Sequence, residues 1–297
     1  MPPDQPLYGI QSPNLNKKGP RLTEVEELAS FYIGEVRRLQ PEGPYYFSGS
    51  SFGGVIGYEI AQQMWQQGQK VALLALFDTY GPDYPRLLPT TTVMQAKFNR
   101  LKHRANLHWS SFKLLDRRGR AVYIREKSGK LWRILDRKRR NLVRDSRKKL
   151  HDLLLPEVVS LTRFRVISHF RNSLKKILLP EEIRKAQETG SQASLNYEPK
   201  PYRNSGRVVL FRASEQPPGI YPDPLNGWGG LIPELEVSEI AGHHGAIMHE
   251  PRVPNLARAL RTYLEDARTF NDNEAAVAAE NPSIISDAEE HQAEMTR

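Results

Sequence analysis

Five consecutive residues carry the strongest chemical signal in this chain: Gly49, Ser50, Ser51, Phe52 and Gly53, followed directly by Gly54. A serine with glycines two places before and after it fits a very tight strand-to-helix turn, in which a Cβ at either flanking position would collide with the chain. That spacing selects Ser51, since Ser48 and Ser50 lack the paired glycines. Such a turn also sets Ser51 at the start of a helix, where free N–H groups and the helix dipole favour developing negative charge. The backbone N–H of Phe52 is then the candidate oxyanion donor. Read without chemistry, the same residues are an ordinary Gly/Ser turn. The chain has no cysteine, which excludes thiol nucleophiles, disulfides and cysteine-based metal sites and leaves covalent catalysis to Ser, Thr, Lys or a carboxylate.

A serine hydroxyl is a weak nucleophile at neutral pH, so a histidine base and an orienting carboxylate are required; where the serine sits on a strand-to-helix nucleophile elbow, they follow it in the chain order Ser, acid, His. Asp78 ends the apolar run Val71–Phe77, at the carboxyl edge where open α/β sheets present functional groups; the plain alternative is a turn or helix-capping Asp. His243 and His244 lie in Gly242-His-His-Gly245, a loop after the last expected strand from which either imidazole could reach Ser51. His103, His108, His151 and His169 fall in a basic stretch, His249 near the last helix and His291 in the tail, where a solvated or packed histidine is the default.

The elements that must position these groups follow from hydrophobic period. Residues 6–11 read as a short strand ended by Pro13. Thr23 and Glu26 have capping-box spacing ahead of apolar positions three and four apart, predicting a helix over 24–40. A strand at 45–49, a helix over 52–66 and a buried strand over 71–77 come next. The alternation resumes with strands at 207–211 and 235–240 and a helix from about 253 to 266, which together indicate an α/β fold with a mostly parallel sheet and helices on both faces. Residues 84–205 offer no convincing strand; their apolar spacing is helical, predicting a basic helical lid insert over the sheet. The core is accordingly discontinuous, 1–83 with 206–270. The tail, 271–297, holds seven acids and few large apolar side chains and is expected to be disordered.

Charge is unevenly spread. The net charge is +9, but residues 96–150 alone carry 20 Lys and Arg against 4 acids, leaving the rest of the chain at −7. No run of about twenty apolar residues is present and the start MPPDQPLYG lacks the zones of a secretory signal, so a cytoplasmic protein is expected.

With these residues in view, the sequence resembles the thioesterase domains of nonribosomal peptide and polyketide synthases, within the α/β-hydrolase superfamily. The similarity is close over 6–80, through PLYGIQSP, EVEELASFYI, GPYYFSGSSFGGVIGYEIAQQM and VALLALFDTYGP. It is fair over 207–266, through RVVLFRASEQP, GWGG and AGHHGAIMHEP. The resemblance implies Ser51 as nucleophile, Asp78 as acid and His244, in a Gly-x-His pattern, as base, with His243 the alternative. It implies attack on a thioester carried by a phosphopantetheine arm and release of the acyl or peptidyl chain by hydrolysis or cyclisation. The arm comes as part of the substrate; no cofactor or metal is expected. Ser50 replaces the large aromatic residue usual before the nucleophile. Relatives begin with a further strand and a His-x-x-Gly-Gly type loop that supplies a second oxyanion N–H. That strand lies between those at 6–11 and 45–49, so an N-terminally truncated core missing strand and oxyanion loop is expected, with about 3 to 4 kcal/mol of barrier at stake.

Two other readings accompany this one. A catalytically impaired remnant would only bind carrier protein. The basic run could instead mark a nucleic-acid or membrane-surface module, although a solvated Lys/Arg face is its usual meaning. Because carrier domains tend to be acidic, an acyl or peptidyl carrier protein docking on the insert at 96–150 is the expected partner, with neither DNA nor a membrane.

Overall fold

In the computed structural model, the described residues are 5–15, 21–92 and 181–280, with residues 94, 95, 99, 112, 113 and 120. Two compact units share the chain, and their boundary runs through one helix at Gly190. The described residues of the smaller unit contain a 3-10 turn at Pro13–Leu15 and the first half of that helix.

Among the described residues the sheet has four strands, all parallel, in the order β1 (Tyr45–Ser50), β2 (Val71–Phe77), β3 (Arg207–Glu215) and β4 (Leu235–His243). β2 is VALLALF, with every residue buried. A strand covered on both faces must be continuously apolar, which is why no alternation shows in it. One face is covered by α1 (Val25–Leu39) and α2 (Phe52–Gln66), packed with Leu74, Leu76, Val208 and Leu210. The opposite face carries Leu73, Ala75, Phe77, Val209 and Phe211 against α4 (Val253–Glu280), through Leu256, Leu260 and Leu264. Helices on both faces of a parallel sheet are the expected α/β class.

α3 (Glu181–Asn196) is the helix that crosses the unit boundary, and its Ala193, with Tyr197 just beyond, joins the α1/α2 core. Two side chains of α2 fasten the segment after it. Tyr58 Oη donates to the carbonyl of Lys200 at 2.5 Å, and Gln62 Nε2 donates to the carbonyls of Lys200 and Pro201 at 3.1 and 2.8 Å. Tyr197 Oη donates to Glu59 Oε2 at 2.6 Å.

Several expectations need correction. Residues 6–11 form no strand: Leu7 and Tyr8 are exposed, and the described segment 5–12 has neither helix nor ladder. A strand exists only with a paired edge, and β1 has β2 on one side and no partner strand on the other among the described residues. The Thr23/Glu26 capping box does not form. The N-cap is Glu24, without a side-chain cap, and Glu27 instead reaches back to accept the N–H of Thr23 at 3.2 Å. Disorder from 271 is contradicted over its first ten residues, because α4 continues to Glu280. Lys70 pairs with Glu274 and lies over the ring of Phe270, so this stretch has partners in the core unit that its composition does not reveal. The rest of the tail and nearly all of the insert, including the basic run at 96–150, lie outside the described residues.

Candidate active site

The parallel register sets three strand ends side by side. Ser50 pairs with Phe77 and Phe77 with Phe211, so Ser51 and Asp78 each lie one residue beyond paired positions at the carboxyl edge. Backbone bonds continue past the strands: Ser51 N–H donates to Phe77 O at 3.2 Å, and Asp78 N–H donates to Phe211 O at 2.9 Å. Glu215 of β3 pairs with His243 at the end of β4, which carries His244 to the same edge.

Ser51 occupies the turn between β1 and α2 at φ 54°, ψ −122°. This backbone conformation is unfavourable for a residue with a Cβ and costs about 1–3 kcal/mol unless its surroundings impose it. Among the described residues four non-glycines have positive φ, and Ser51, Asp78 and Asn226 are three of them. Strain is thus concentrated where the functional groups meet. The Ser51 hydroxyl does not cap the helix it precedes, and Phe52 opens α2 with its N–H among the first-turn donors that have no intrahelical acceptor.

The glycines behave differently from the sequence expectation. A Cβ on Gly49 would stand 2.2 Å from the carbonyl oxygen of Gly53, so this position requires glycine. A Cβ on Gly53, in contrast, would meet nothing within 4 Å. It is the backbone of Gly53, not its missing side chain, that takes part in the close approach. The second steric requirement is at Gly54, where a Cβ would come 2.0 Å from Thr79 Oγ1. Gly54 lets α2 seat against the residue immediately after Asp78.

Asp78 is 1% exposed and both its oxygens are engaged. Oδ1 accepts the backbone N–H of Ala213 at 2.9 Å and Asn226 Nδ2 at 3.4 Å. Oδ2 lies 2.9 Å from His244 Nδ1. A carboxylate can only accept, so Nδ1 carries the proton, and in the neutral ring Nε2 is the nitrogen with the free lone pair. His244 is half-buried and stacks on Tyr80, ring centroids 5.5 Å apart. Its loop is pinned by Ile247, fully buried in the α4-side core, and by Ala246 and Ile247 N–H donating to His243 O. His243 takes a different partner: its Nδ1 accepts the N–H of Gly245 at 3.1 Å. The chain therefore sets His244, not His243, against the carboxylate.

The profile of the thioesterase domain family matches residues 1–153, just over half of the chain, and takes in Ser51 and Asp78. The chain belongs to the thioesterase domain family. Over 86 residues it is 44% identical to malpinin synthetase of Mortierella alpina, a stretch covering 29% of this chain and 1% of that protein. Over 75 residues it is 40% identical to polyketide synthase PksR of Bacillus subtilis, covering 25% of this chain and 3% of that one. The thioesterase chain thus spans a few hundredths of the length of these relatives. A solved four-domain nonribosomal peptide synthetase, bound to AMP and glycine, superposes with a TM-score of 0.50 at 22% identity, over 85% of this chain and 17% of its own. At that identity the match speaks for the fold.

Three neighbours of the candidate site were not legible in the sequence. Tyr80 is only two residues past Asp78, and nothing in the apolar pattern marks it as a ring to stack on His244. Ala213 contributes through its main chain, which leaves no side-chain signature. Asn226 sits in the turn Asp223–Gly227, where Asp223 accepts the N–H groups of Leu225 and Gly227 at 2.8 and 2.7 Å. The Asp-Pro-Leu-Asn-Gly string signals a turn, yet nothing in it shows that the turn reaches Asp78. Among the described residues no helix is long and apolar enough to cross a membrane, and no group of His, Asp and Glu converges as a metal site.

Proposed function

We propose that the chain is a serine thioesterase that releases an acyl or peptidyl chain from a phosphopantetheinyl carrier protein. In this reading Ser51 is the nucleophile, His244 the base, Asp78 the orienting acid and the N–H of Phe52 an oxyanion donor. The observation that carries it is the 2.9 Å contact between His244 Nδ1 and buried Asp78, 166 residues apart in sequence, at the sheet edge where Ser51 holds its strained turn.

The chemistry follows from the groups present. Ser51 Oγ attacks the thioester carbonyl carbon as its proton passes to His244 Nε2, and the carbonyl electrons move onto oxygen. The N–H of Phe52 at the α2 terminus stabilises that charge. Collapse breaks the C–S bond, and the departing sulfur takes the proton from His244, leaving an ester on Ser51. His244 then removes a proton from water, or from a hydroxyl or amine of the bound chain, which attacks the ester; the bond to Ser51 Oγ breaks as His244 returns the proton to that oxygen, giving the free acid or a ring. Asp78 holds the imidazole orientation and favours the imidazolium at each transfer. The synthetase and polyketide synthase names of the relatives favour a carrier-bound substrate. The acidic character expected of a carrier favours docking on the basic insert at 96–150, and charge reversal across Arg137–Arg140 is expected to weaken that association.

A fluorophosphonate probe tests the reading. Labelling of the wild-type chain that vanishes in Ser51→Ala and falls steeply in His244→Gln is the expected result. A wild-type chain that takes no label, while remaining folded by circular dichroism, points instead to the carrier-binding remnant.

A further inference from the structure

Arg212 is on β3 next to Ala213, whose N–H already serves Asp78. Its Nε donates to Asn226 Oδ1 at 3.3 Å, and its Nη1 pairs with Glu239 of β4 at 2.8 Å. Asn226 is fully buried, and its Nδ2 faces Asp78 Oδ1 at 3.4 Å. The amide has only one orientation available. A guanidinium can only donate, so it takes the carbonyl oxygen; a carboxylate can only accept, so it takes the NH2 group. Asn226 is therefore oriented at both ends, by charges of opposite sign.

Its backbone is held as firmly. Asn226 has φ 49°, its N–H donates to Asp223 O at 3.2 Å, and its carbonyl accepts the N–H of Gly81 at 2.8 Å. Trp228, two residues on and fully buried, donates Nε1 to Thr79 O at 3.1 Å. The turn at 223–227 is thus fastened to the loop that carries Asp78 through Asn226 itself and through Trp228 just beyond it.

We infer that Asn226 is a positioning residue of the proposed acyl-transfer site, linking Arg212 to Asp78 and fixing the carboxylate that orients His244. The inference rests on the roles proposed above for Asp78 and His244. The charged and titratable groups around the pair come from every neighbouring element. Arg212 comes from β3, Glu239 from β4, and Tyr80 and Tyr84 from the loop after β2. Asp223 comes from the turn itself, and His244 from the loop after β4. Asp223 directs both oxygens to the backbone of its own turn. Burial pushes the Tyr84 hydroxyl up; the Arg212 charge and a backbone bond at Asp223 oppose the shift, and the charges of Asp223 and Asp78 reinforce it. Arg212 is the one cation among these neighbours that reaches Asn226, so the amide transmits a positive field toward Asp78.

Two substitutions separate a positioning role from a structural one. Asn226→Gly tolerates positive φ and keeps both backbone bonds while removing the side chain. Asn226→Asp preserves shape and tolerance of positive φ but replaces the donor facing Asp78 with an acceptor. The thioester of N-acetylcysteamine with a fatty acid serves as substrate. Asn226→Gly is expected to lower kcat about tenfold or more with KM within about twofold, since a donor to a charged partner is removed. Asn226→Asp is expected to raise the acid limb of kcat/KM by about one pH unit, because a negative neighbour makes the imidazolium harder to deprotonate. NMR titration of the His244 ring, assigned by its loss in His244→Gln, reads the same shift without turnover. A His244 titration in Asn226→Asp that overlays the wild type overturns the inference, as does loss of cooperative folding in both variants, which would make Asn226 a structural pin. If wild type neither turns over nor labels, the thioesterase reading has failed, and the NMR titration alone still decides whether Asn226 acts on His244.

Discussion

Ser51 exists in its conformation because Gly49 allows it. With the Gly53 carbonyl 2.2 Å from the place of a Gly49 Cβ, Gly49→Ala forces the turn open, at a cost of about 1–3 kcal/mol for an overpacked site. Gly54→Ala drives the start of α2 away from Thr79 and is expected to cost a similar amount. Gly53→Ala is the informative contrast, since its Cβ would face open space in a helix. It is expected to leave stability unchanged or raise it by about 0.5–1 kcal/mol. Thermal melts of the three variants check this order, and a Gly53→Ala melt as depressed as that of Gly49→Ala would refute it. Histidine choice is testable at the same scale. His243→Gln, which removes the Nδ1 acceptor for Gly245 and leaves the contact with Asp78 in place, is expected to keep most activity, whereas His244→Gln is expected to lose a factor of about 10³ or more. Equal losses in the two variants would remove the distinction between them.

At the scale of elements, legibility in the sequence followed burial. α2 and β2 are readable to the residue because each is apolar on every side that matters, Val71–Phe77 throughout and Phe52–Gln66 along a broad face. β3 and β4 run several residues beyond their apolar stretches, to Glu215 and His243. Those extra residues are polar or small, Arg212 to Glu215 on β3 and Ala241 to His243 on β4, so the run of large apolar side chains that defines a strand fades where the candidate site begins. The same logic explains why Ser51, Asp78 and the His-His pair could be named from chain order, whereas Asn226 and Ala213 could not. The former are motif residues at predicted strand ends, and the latter act through a turn amide and a backbone N–H. The segment 5–12 failed in the opposite direction: Leu7, Tyr8 and Ile10 have strand composition but are exposed without an edge to pair with. Elements at the site edge are joined through Trp228, which packs on Tyr58 at 4.9 Å and bonds Thr79. Trp228→Ala is expected to cost about 3–5 kcal/mol, while Trp228→Phe keeps most of the packing and leaves the Thr79 carbonyl unpaired for about 1–3 kcal/mol. Denaturant midpoints measured for both variants, with unchanged m-values, check that ordering.

Across the whole molecule, the core is made from two lengths of chain separated by the insert, and three tyrosines sit where they join. Tyr58 on α2 and Tyr197 and Tyr202 beyond α3 are all buried at the hydroxyl end, and burial pushes each well above the ordinary tyrosine range. For Tyr197 the bond to Glu59 adds to that effect, because a carboxylate acceptor favours the protonated phenol. The folded state therefore keeps three protons that the unfolded chain releases near pH 10. Above that pH the unfolded state binds fewer protons than the folded one, so stability must fall as pH rises, by about 1.4 kcal/mol per pH unit for each tyrosine still protonated. Below it these groups contribute no pH dependence. Denaturant melts between pH 8 and 11.5 are expected to give a plateau followed by a steep decline. Tyr197→Phe makes that decline shallower by about one tyrosine's worth, and at neutral pH it costs about 1.5–3 kcal/mol for the lost bond to a charged partner. Tyr202→Phe provides the internal control. Its hydroxyl is buried with no hydrogen-bond partner among the described residues, so removing it is expected to be neutral or stabilising at pH 7 while flattening the alkaline slope by a similar amount. A decline equally steep in both variants and wild type would mean that these phenols ionise within the fold, and that the junction between the two lengths of chain is open to water.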